Sequence, residues 1–317
     1  MVQKNRITNK YDCVIIVGPT CSGKTSLSIE LAKTLNTSII NADSQQIYKY
    51  LQIGTAKPGL NEMQGINHYL MDFVEPNKNF SVSDFKILAT NAINEIKSQN
   101  KLPIIVGGTG FYIQSLLYDF SYGNVGANNA IRNKYMQFLI NNGAIELHKK
   151  LQEVDPKTAT ILHPNDTKRV IRALEIYETT GQPMSKTITK TRTQLSPLII
   201  GLNCDREILY SNINKRVDLM IQKGLENEIN TLLKNGITFD EQCMQAIGYK
   251  EWKGYFENKL AREETIELIK KNTRNYAKRQ LTWFRNSLEN VCFYDITKQS
   301  NSEIVTDILS KLQKNHD

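Results

Sequence analysis

A stretch near the start of the chain has the residue types and spacing of a phosphate-binding loop. Residues 14–27 read VIIVGPTCSGKTSL, which places the pattern G-x-x-x-x-G-K-T between an apolar run and a helix-like pattern. Gly18 and Gly23 allow the backbone N–H groups to surround phosphate oxygens, and the N-terminus of the next helix adds partial positive charge. We expect Lys24 to reach the outer phosphate and the Thr25 hydroxyl to help hold Mg²⁺. The predicted diphosphate-binding residues are Gly18, Pro19, Thr20, Cys21, Ser22, Gly23, Lys24 and Thr25.

This loop predicts a diphosphate site but leaves open which bond is broken. The same spacing is typical of nucleotide-binding and ATP-binding loops whose enzymes transfer a phosphoryl group. It suits equally well a diphosphate that departs as a leaving group. Residues elsewhere in the chain must decide between the two reactions.

Two polar residues follow other apolar runs that are predicted to be strands. Asp43 comes at the end of TSIINAD, and Thr109 follows the glycines of IVGGTGFY. Ligands of open α/β sheets bind at the carboxyl ends of the strands, so both residues are expected at the edge that carries the loop. A carboxylate at position 43 can serve as a Mg²⁺ ligand, as a general base or as the N-cap of the next helix. Thr109 can act at the site or belong to a glycine-rich turn, and its position alone favours the site.

The pattern of apolar runs predicts a P-loop-type α/β fold with a parallel sheet covered by helices. DCVIIVG, TSIINAD and LPIIVGGTG are typical of buried strands, and amphipathic stretches such as KTSLSIELAKTL lie between them. Continuous Ile and Val runs that alternate with helices indicate a doubly wound sheet. Strand signals fade after residue 122 and return in PLIIGLNC. We therefore expect a core of residues 1–122 and 198–317, interrupted by a helical insertion domain at 123–197.

Composition is typical of an ordinary globular protein with excess positive charge. Apolar residues make up 40% and charged residues 23%, and no apolar run is long enough to span a membrane. The first ten residues are polar and lack the apolar core of a secretory signal, so we expect a cytoplasmic protein. The five cysteines form no C-x-x-C pair, which argues against a zinc site or a disulfide framework. A net charge of +8 suits a polyanionic partner if the charge is clustered.

Positive charge is concentrated in two segments. HPNDTKRVIRALE places Lys168, Arg169 and Arg172 on neighbouring turns, and KKNTRNYAKRQLTWFRN interleaves basic residues with aromatic ones. Basic side chains beside aromatic rings suit phosphate contacts together with stacking on unpaired bases. An amphipathic helix with a solvated basic face and a buried aromatic stripe explains the pattern equally well. Trp283 and Phe284 are adjacent, however, so both cannot lie on one narrow helical face.

Seven stretches together resemble the tRNA dimethylallyltransferases, also called tRNA isopentenyltransferases, of the bacterial type. They run in that family's order from residue 18 to residue 285 and read GPTCSGKT, NADSQQIY, IGTAKP, VGGTGFY, HPNDTKRVIRALE, QAIGYKE and TRNYAKRQLTWFR. The family's usual ADP before the insertion arginine is ANN here, at residues 127–129, which leaves Arg132 as the matching position. No counterpart of the zinc finger of the eukaryotic relatives is found, in agreement with the missing Cys/His pairs.

The resemblance implies a reaction and a set of site residues. A dimethylallyl group would pass from dimethylallyl diphosphate to N6 of the adenosine immediately 3′ of the anticodon in tRNA, releasing diphosphate by breaking a carbon–oxygen bond. Asp43 would take the proton, Thr109 and Arg216 would assist, and Mg²⁺ at Thr25 would be the cofactor of a monomeric enzyme. The residues implied in gripping the anticodon stem-loop are Asp43, Ser44, Gln45, Gln46, Arg132, Lys168, Arg169, Arg172, Lys278, Arg279, Gln280, Trp283 and Arg285.

Three other functions remain open from the residues themselves. A P-loop kinase or NTPase explains the loop, Asp43 and the sheet, but not the two basic segments. A relative that prenylates free adenine nucleotides has little need for those segments. An RNA-binding module without catalysis has no use for Lys24, Thr25 and Asp43 together. ATP consumption would identify the kinase, whereas release of pyrophosphate without ATP would identify the transferase.

Overall fold

The computed structural model describes residues 10–122 and 126–313. These residues divide into two compact units. The first unit contains the chain up to Leu116 and again from Gln194, and the second contains Leu117–Thr193. The sequence analysis had placed the two boundaries a few residues later, at 123 and 198.

The strands of the described residues form two sheets. In chain order the strands are β1 Cys13–Val17, β2 Ile39–Asn41, β3 His68–Tyr69, β4 Ile104–Gly107, β5 Tyr118–Tyr122, β6 Ile188–Arg192, β7 Pro197–Asn203 and β8 Val291–Asp295. The first unit holds a sheet of order β3-β2-β4-β1-β7-β8 in which every neighbouring pair is parallel. The second unit holds β5 and β6 as an antiparallel pair.

Helices account for most of the remaining ordered backbone. They are α1 Lys24–Thr34, α2 Leu60–Met63, α3 Val82–Ser98, α4 Gly110–Leu117, α5 Asn129–Val154, α6 Pro156–Ile161, α7 Thr167–Thr180, α8 Met184–Thr187, α9 Arg206–Gln222, α10 Leu225–Lys234, α11 Trp252–Phe256, α12 Arg262–Ser287 and α13 Asn301–Gln313. A short 3₁₀ helix spans Gln242–Gln245.

The parallel sheet of the first unit is buried, as the continuous apolar runs predict. Every residue of β1 is fully buried, and the same holds for β2 and β4 to within a few per cent. One face packs against α1 and α13, where Leu27 and Leu31 meet Ile304 and Ile308 beneath Val14 of the sheet. Helices that cover a parallel sheet remove both faces from water, so the strands carry no alternating polar residues. The predicted α/β fold class is confirmed.

Gly107 lets the ends of β2 and β4 approach each other at the edge that carries the site. A Cβ atom at this position would lie 2.1 Å from the Ala42 carbonyl oxygen, which no side chain can tolerate. The Ala42 N–H in turn donates to the Val106 carbonyl at 2.7 Å. The close approach places the residues after β2 directly beside the residues after β4.

The strands that were not predicted from the sequence are the short β3, β8 and the β5–β6 pair. β8 adds an edge strand to the parallel sheet, and its partly exposed residues give only a weak apolar signal. β5 and β6 pair in the unit that was predicted to be helical, where Lys190 lies over the Tyr118 ring at 3.7 Å. Cross-strand contacts of this kind stabilise a strand pair without an apolar run that would reveal it in the sequence. Within the predicted helical insertion, α5 is interrupted by a break at Gly143, where φ is 83°.

Candidate active site

The predicted phosphate-binding loop connects β1 to α1 and is closed by its own side chains. Ser22 Oγ donates to the Pro19 carbonyl at 2.8 Å, and Lys24 Nζ donates to the Gly18 and Pro19 carbonyls at 3.0 and 2.7 Å. Cys21 and Gly23 adopt positive φ values of 63° and 76°, which turn successive N–H groups toward the inside of the loop. α1 has no side-chain cap and no acidic residue in its first turn. Its first N–H groups are thus suited to an anion.

Lys24 is the titratable group most affected by this arrangement. Burial lowers the pKa of its ammonium to about 8, the nearby Asp43 carboxylate opposes that shift, and the Arg216 guanidinium adds to it. Two of the residues predicted to act in catalysis therefore lie close enough to the loop lysine to change its ionisation. Near neutral pH the ammonium keeps its charge, but only by a narrow margin.

The residues after β2 and β4 form a second hydrogen-bonded group. Asp43 Oδ1 accepts from the Gln45 N–H at 2.9 Å and caps a turn. The interpretation of Asp43 as a helix N-cap is wrong, because the next helix is α2 at Leu60. Asp43 Oδ2 accepts no hydrogen bond from the described part of the chain and faces Gly108. Thr109 Oγ1 accepts from the Ser44 N–H at 2.9 Å and donates to Ser44 Oγ at 3.2 Å. One carboxylate oxygen is structural, and the other is free for chemistry.

A cleft of about 1570 Å³ joins the loop and the strand ends to α9 and α12 within the first unit. The predicted residues that line it are Thr20, Cys21, Ser22, Gly23, Lys24, Thr25, Asp43, Ser44, Gln45, Gln46, Arg216, Arg279 and Gln280. The predicted residues of the same unit that do not line it are Gly18, Pro19, Thr109, Lys278, Trp283 and Arg285. Lining residues that were not predicted include Asn41, Asn212, Ile247, Lys250 and Tyr276.

Tyr276 is the unpredicted residue with the strongest claim to a role. Burial raises the pKa of its hydroxyl, and the Asp43 carboxylate adds to this rise, so the two groups lie near each other in the cleft. The Arg279 guanidinium lies over the Tyr276 ring at 5.8 Å from its centroid. The mixture of aromatic and basic residues in this segment was the signal available in the sequence. Only the structure shows that Tyr276 lies near Asp43 in the cleft.

The donor set of the cleft fits Mg²⁺ held mainly by a bound diphosphate. The Thr25 hydroxyl is exposed and forms no hydrogen bond with the described residues. No group of three His, Cys, Asp or Glu residues that could cage a metal occurs within residues 10–122 and 126–313. Mg²⁺ typically takes one or two protein oxygens and completes its shell with water and phosphate oxygens. A hydroxyl beside a phosphate loop meets that requirement.

One half-buried carboxylate holds a backbone segment that lines the cleft. Glu228 on α10 accepts from the backbone N–H groups of Gln52, Ile53 and Gly54 at 2.9, 2.8 and 3.2 Å. It also accepts from the Tyr249 hydroxyl at 2.6 Å. Two stretches from the sequence analysis, IGTAKP and QAIGYKE, are thereby held by a residue outside both. The sequence had given no indication of Glu228.

α12 presents the predicted RNA-binding residues on different sides. Lys278, Arg279 and Arg285 are exposed, whereas Phe284 is 1% exposed and belongs to the core. The neighbouring Trp283 packs on Gly110, where a Cβ atom would lie 2.4 Å from the indole ring. The prediction that these two aromatic residues cannot share one helical face is confirmed.

Comparison with known proteins identifies the family. The family model described as IPP transferase matches residues 46–287. The tRNA dimethylallyltransferase of Bacillus cytotoxicus is 49% identical over 303 residues, which cover 95% of each chain. The chain belongs to the IPP transferase family. The resemblance found in the sequence is therefore confirmed.

Solved structures of the IPP transferase family share this fold. The tRNA delta(2)-isopentenylpyrophosphate transferase of Staphylococcus epidermidis is 39% identical, with a TM-score of 0.70 over 95% of this chain and 98% of that one. A eukaryotic dimethylallyltransferase, in a structure described as acting on tRNA, is 32% identical, with a TM-score of 0.77 over 96% of this chain and 81% of that one. No helix of the described residues is long and apolar enough to cross a membrane.

In the second unit of this IPP transferase, two of the predicted RNA-binding arginines bind a buried carboxylate. Glu175 has a fully buried side chain and accepts from Arg132 Nε at 2.9 Å, Arg172 Nη1 at 2.7 Å and the Asn128 N–H at 2.6 Å. Burial by itself would raise the pKa of Glu175, but these hydrogen bonds outweigh it and the pKa is lowered. Asn128 also caps α5 by accepting from the Ala130 N–H. The segment ANN at residues 127–129 therefore supplies the N-cap of α5 and a backbone N–H donor to Glu175.

Lys168 and Arg169 have the opposite character. Both side chains are exposed at the start of α7, and Arg169 forms only a long contact of 3.4 Å with Asp166. An exposed pair of this kind contributes little to stability. These two residues are available to a polyanion, while Arg132 and Arg172 first balance Glu175.

Replacing Lys24 with Arg should remove a pH-dependent part of diphosphate binding. Because an adjacent anion favours the protonated ammonium, wild-type protein should take up protons on binding pyrophosphate above its pKa of about 8. Its Kd should then rise by up to about tenfold per pH unit, since that is the limit for one linked proton. Arginine stays protonated throughout this range. Titration calorimetry at pH 7 to 9.5, in buffers of different ionisation enthalpy, measures the proton count. Pyrophosphate's own ionisation is common to both proteins, so an equal proton count would contradict the assignment.

Glu175→Gln should destabilise the second unit. Removing one member of a buried charge network typically costs about 3–5 kcal/mol near neutral pH. Because the folded-state pKa is lowered, this contribution is present above the ordinary value of 4.5 and is lost as the pH falls below it. Denaturant unfolding at pH 7 and at successively lower pH measures the gap, which should shrink in acid. Glu146→Gln, which breaks an exposed pair with Lys149, is the control and should cost less than about 1 kcal/mol.

Proposed function

We propose that this chain transfers a dimethylallyl group from dimethylallyl diphosphate to N6 of the adenosine immediately 3′ of the anticodon in tRNA. The observation that carries the proposal is the convergence of a phosphate loop, a carboxylate with a free oxygen and a basic, aromatic-bearing helix on one cleft. The names of the relatives support the same reaction class. None of the alternative functions considered from the sequence uses all three of these parts.

The charges of the cleft suit departure of pyrophosphate. As the carbon–oxygen bond breaks, negative charge grows on the diphosphate, beside the loop N–H groups, the Lys24 ammonium and the Arg216 guanidinium. Preorganised donors of this kind stabilise developing charge without reorganisation. Mg²⁺ at the Thr25 hydroxyl, when bound, would supply further positive charge to the phosphate oxygens.

Asp43 is the general base in this proposal. An adenine amine is a weak nucleophile because its lone pair is delocalised, so the proton must leave as the new carbon–nitrogen bond forms. Asp43 Oδ2 has no other partner among the described residues, while Oδ1 holds the carboxylate in place through the Gln45 N–H. Thr109 acts less directly, since its hydroxyl is engaged with Ser44 and orients the turn that carries Asp43.

The exposed cations of α12 would hold the RNA beside this base. Lys278, Arg279 and Arg285 suit phosphate contacts, and the Tyr276 ring beside Arg279 suits stacking on an extruded base. In the second unit, Lys168 and Arg169 are the candidates for further phosphate contacts. We further propose a cytoplasmic monomer, as expected from the sequence.

A P-loop kinase is the competing function. The loop alone would accept a nucleoside triphosphate, and Asp43 could activate a hydroxyl acceptor. The exposed basic face of α12 has no role in that reaction. Dependence of turnover on ATP would favour the kinase.

Asp43→Asn should abolish most of the transfer while leaving the turn intact. Asparagine keeps an oxygen that can accept from the Gln45 N–H but cannot take a proton, so turnover should fall by roughly 100-fold or more. The assay follows labelled dimethylallyl diphosphate into an anticodon stem-loop RNA, with Mg²⁺ and without ATP. Asp240→Asn, at a highly exposed carboxylate, is the matched control. Full turnover in the Asp43 variant would remove the base assignment, and no transfer by wild-type protein would reject the proposed function.

Arg279→Ala should weaken RNA binding in a salt-dependent manner. If its guanidinium neutralises one phosphate, the slope of log Kd against log salt should fall by about 0.7 to 0.9. Fluorescence anisotropy of a labelled stem-loop at several salt concentrations gives this slope. Lys234→Ala, an exposed cation on α10 outside the cleft, should leave it unchanged. Identical slopes for wild type and Arg279→Ala would show that Arg279 neutralises no RNA phosphate and has a structural role instead.

A further inference from the structure

Gln280 is buried in the middle of the most basic stretch of α12. Its two neighbours before it, Lys278 and Arg279, are exposed, but Gln280 itself is only 6% exposed. Its Oε1 accepts from the Thr20 N–H of the phosphate loop at 2.9 Å, and its Nε2 donates to the Gly108 carbonyl at 2.9 Å. A single amide therefore connects the RNA-facing helix to the phosphate loop and to the end of β4.

The surroundings leave this amide no freedom to contact RNA. A Cβ atom at Gly108 would lie 2.4 Å from Gln280 Nε2, so the side chain fills the space that this glycine leaves. Both polar ends already have partners, and breaking the bond to Gly108 would leave a buried carbonyl without a partner. The amide of Gln280, which the sequence analysis assigned to RNA contact, is thus engaged inside the protein.

The connection joins the groups that the reaction must align. Thr20 lies in the loop that would hold the diphosphate, and Gly108 precedes Thr109, whose hydroxyl orients the turn of Asp43. One turn further along α12, Trp283 packs on Gly110 at the start of α4. α12 is therefore fastened at two consecutive turns, to the phosphate loop and to the segment of Thr109 that orients the turn of Asp43.

We propose that Gln280 is a positioning residue that couples diphosphate binding to RNA binding. The inference rests on the proposed function. A diphosphate that draws the loop N–H groups inward fixes Thr20 and, through Gln280, the position of α12 with its exposed cations. RNA bound to those cations fixes the loop in the same way, because a coupling free energy between two sites is reciprocal.

Gln280→Met is the variant that tests this coupling. Methionine matches the length and the volume of glutamine but forms neither hydrogen bond, so the helix should still pack. The probes are inorganic pyrophosphate with Mg²⁺ and an anticodon stem-loop RNA, each titrated calorimetrically with and without the other. In wild-type protein we expect each probe to tighten the other by about tenfold, within the usual range of site coupling. In Gln280→Met the factor should fall to about two or less.

Two controls separate positioning from contact and from damage to the fold. Asn275→Ala removes an exposed amide from the same helix and should keep the full coupling. Gln280→Glu keeps an acceptor for the Thr20 N–H but places an oxygen against the Gly108 carbonyl, so it should lose most of the coupling. If Gln280 contacts RNA instead, Gln280→Met will weaken RNA binding by the same factor in the presence and in the absence of pyrophosphate. The coupling between the two probes will then equal that of wild-type protein. That result would overturn the proposal.

The transfer assay distinguishes a failure of this inference from a failure of the proposed function. With both substrates saturating, Gln280→Met should lower kcat by about 10- to 100-fold, since small misplacements of reacting groups are costly. Its KM values should change by less than about threefold. Wild-type transfer together with unchanged coupling and kcat in the variant would reject only the role of Gln280. Coupled binding of both probes without any transfer would reject only the reaction.

Discussion

The parallel register of β2, β4 and β1 is the constraint on which the site depends. Asn41 pairs with Val106, and Gly107 pairs with Val17, so three strands end at nearly the same height. Each chain segment that leaves this edge carries one part of the chemistry: the phosphate loop, the turn of Asp43 and the turn of Thr109. A slip by one residue in any pair would exchange side chains between the two packed faces of the sheet, so the apolar packing of the sheet also fixes the site.

Within each unit, buried polar groups hold the backbone and exposed ones remain for substrates. Gln280 in the first unit and Glu175 in the second each satisfy several polar groups and have little or no exposed surface to offer a ligand. Arg279 and Lys168 have the opposite balance, with open surface and few internal partners. Residue type alone does not separate the two groups. The separation follows from burial, because an unpaired polar group costs most where water is excluded.

This distinction explains how much the sequence could predict. The phosphate loop, the strand ends and the fold class depend on local spacing and on apolar runs, and these predictions agree with the structure. Gln280 and Arg172 were grouped with the RNA contacts because they sit in basic segments, yet their partners are Thr20 and Glu175. β8 and the β5–β6 pair were missed because pairing, not burial, defines them. Sequence patterns show which residues are neighbours along the chain. The partners of a residue in the folded structure can lie far away in the sequence.

The bond from the Thr20 N–H to Gln280 spans 260 positions of the chain. During synthesis, the phosphate loop leaves the ribosome long before α12 exists, and domains generally form from the amino-terminal side first. The segments of β1, α1 and β4 precede α12 in the chain, so the loop lacks its buried acceptor until α12 has been synthesised. A chain released before that point would carry the binding sequence without the geometry that orders it. The order of the phosphate loop thus depends on a helix that is synthesised long after it.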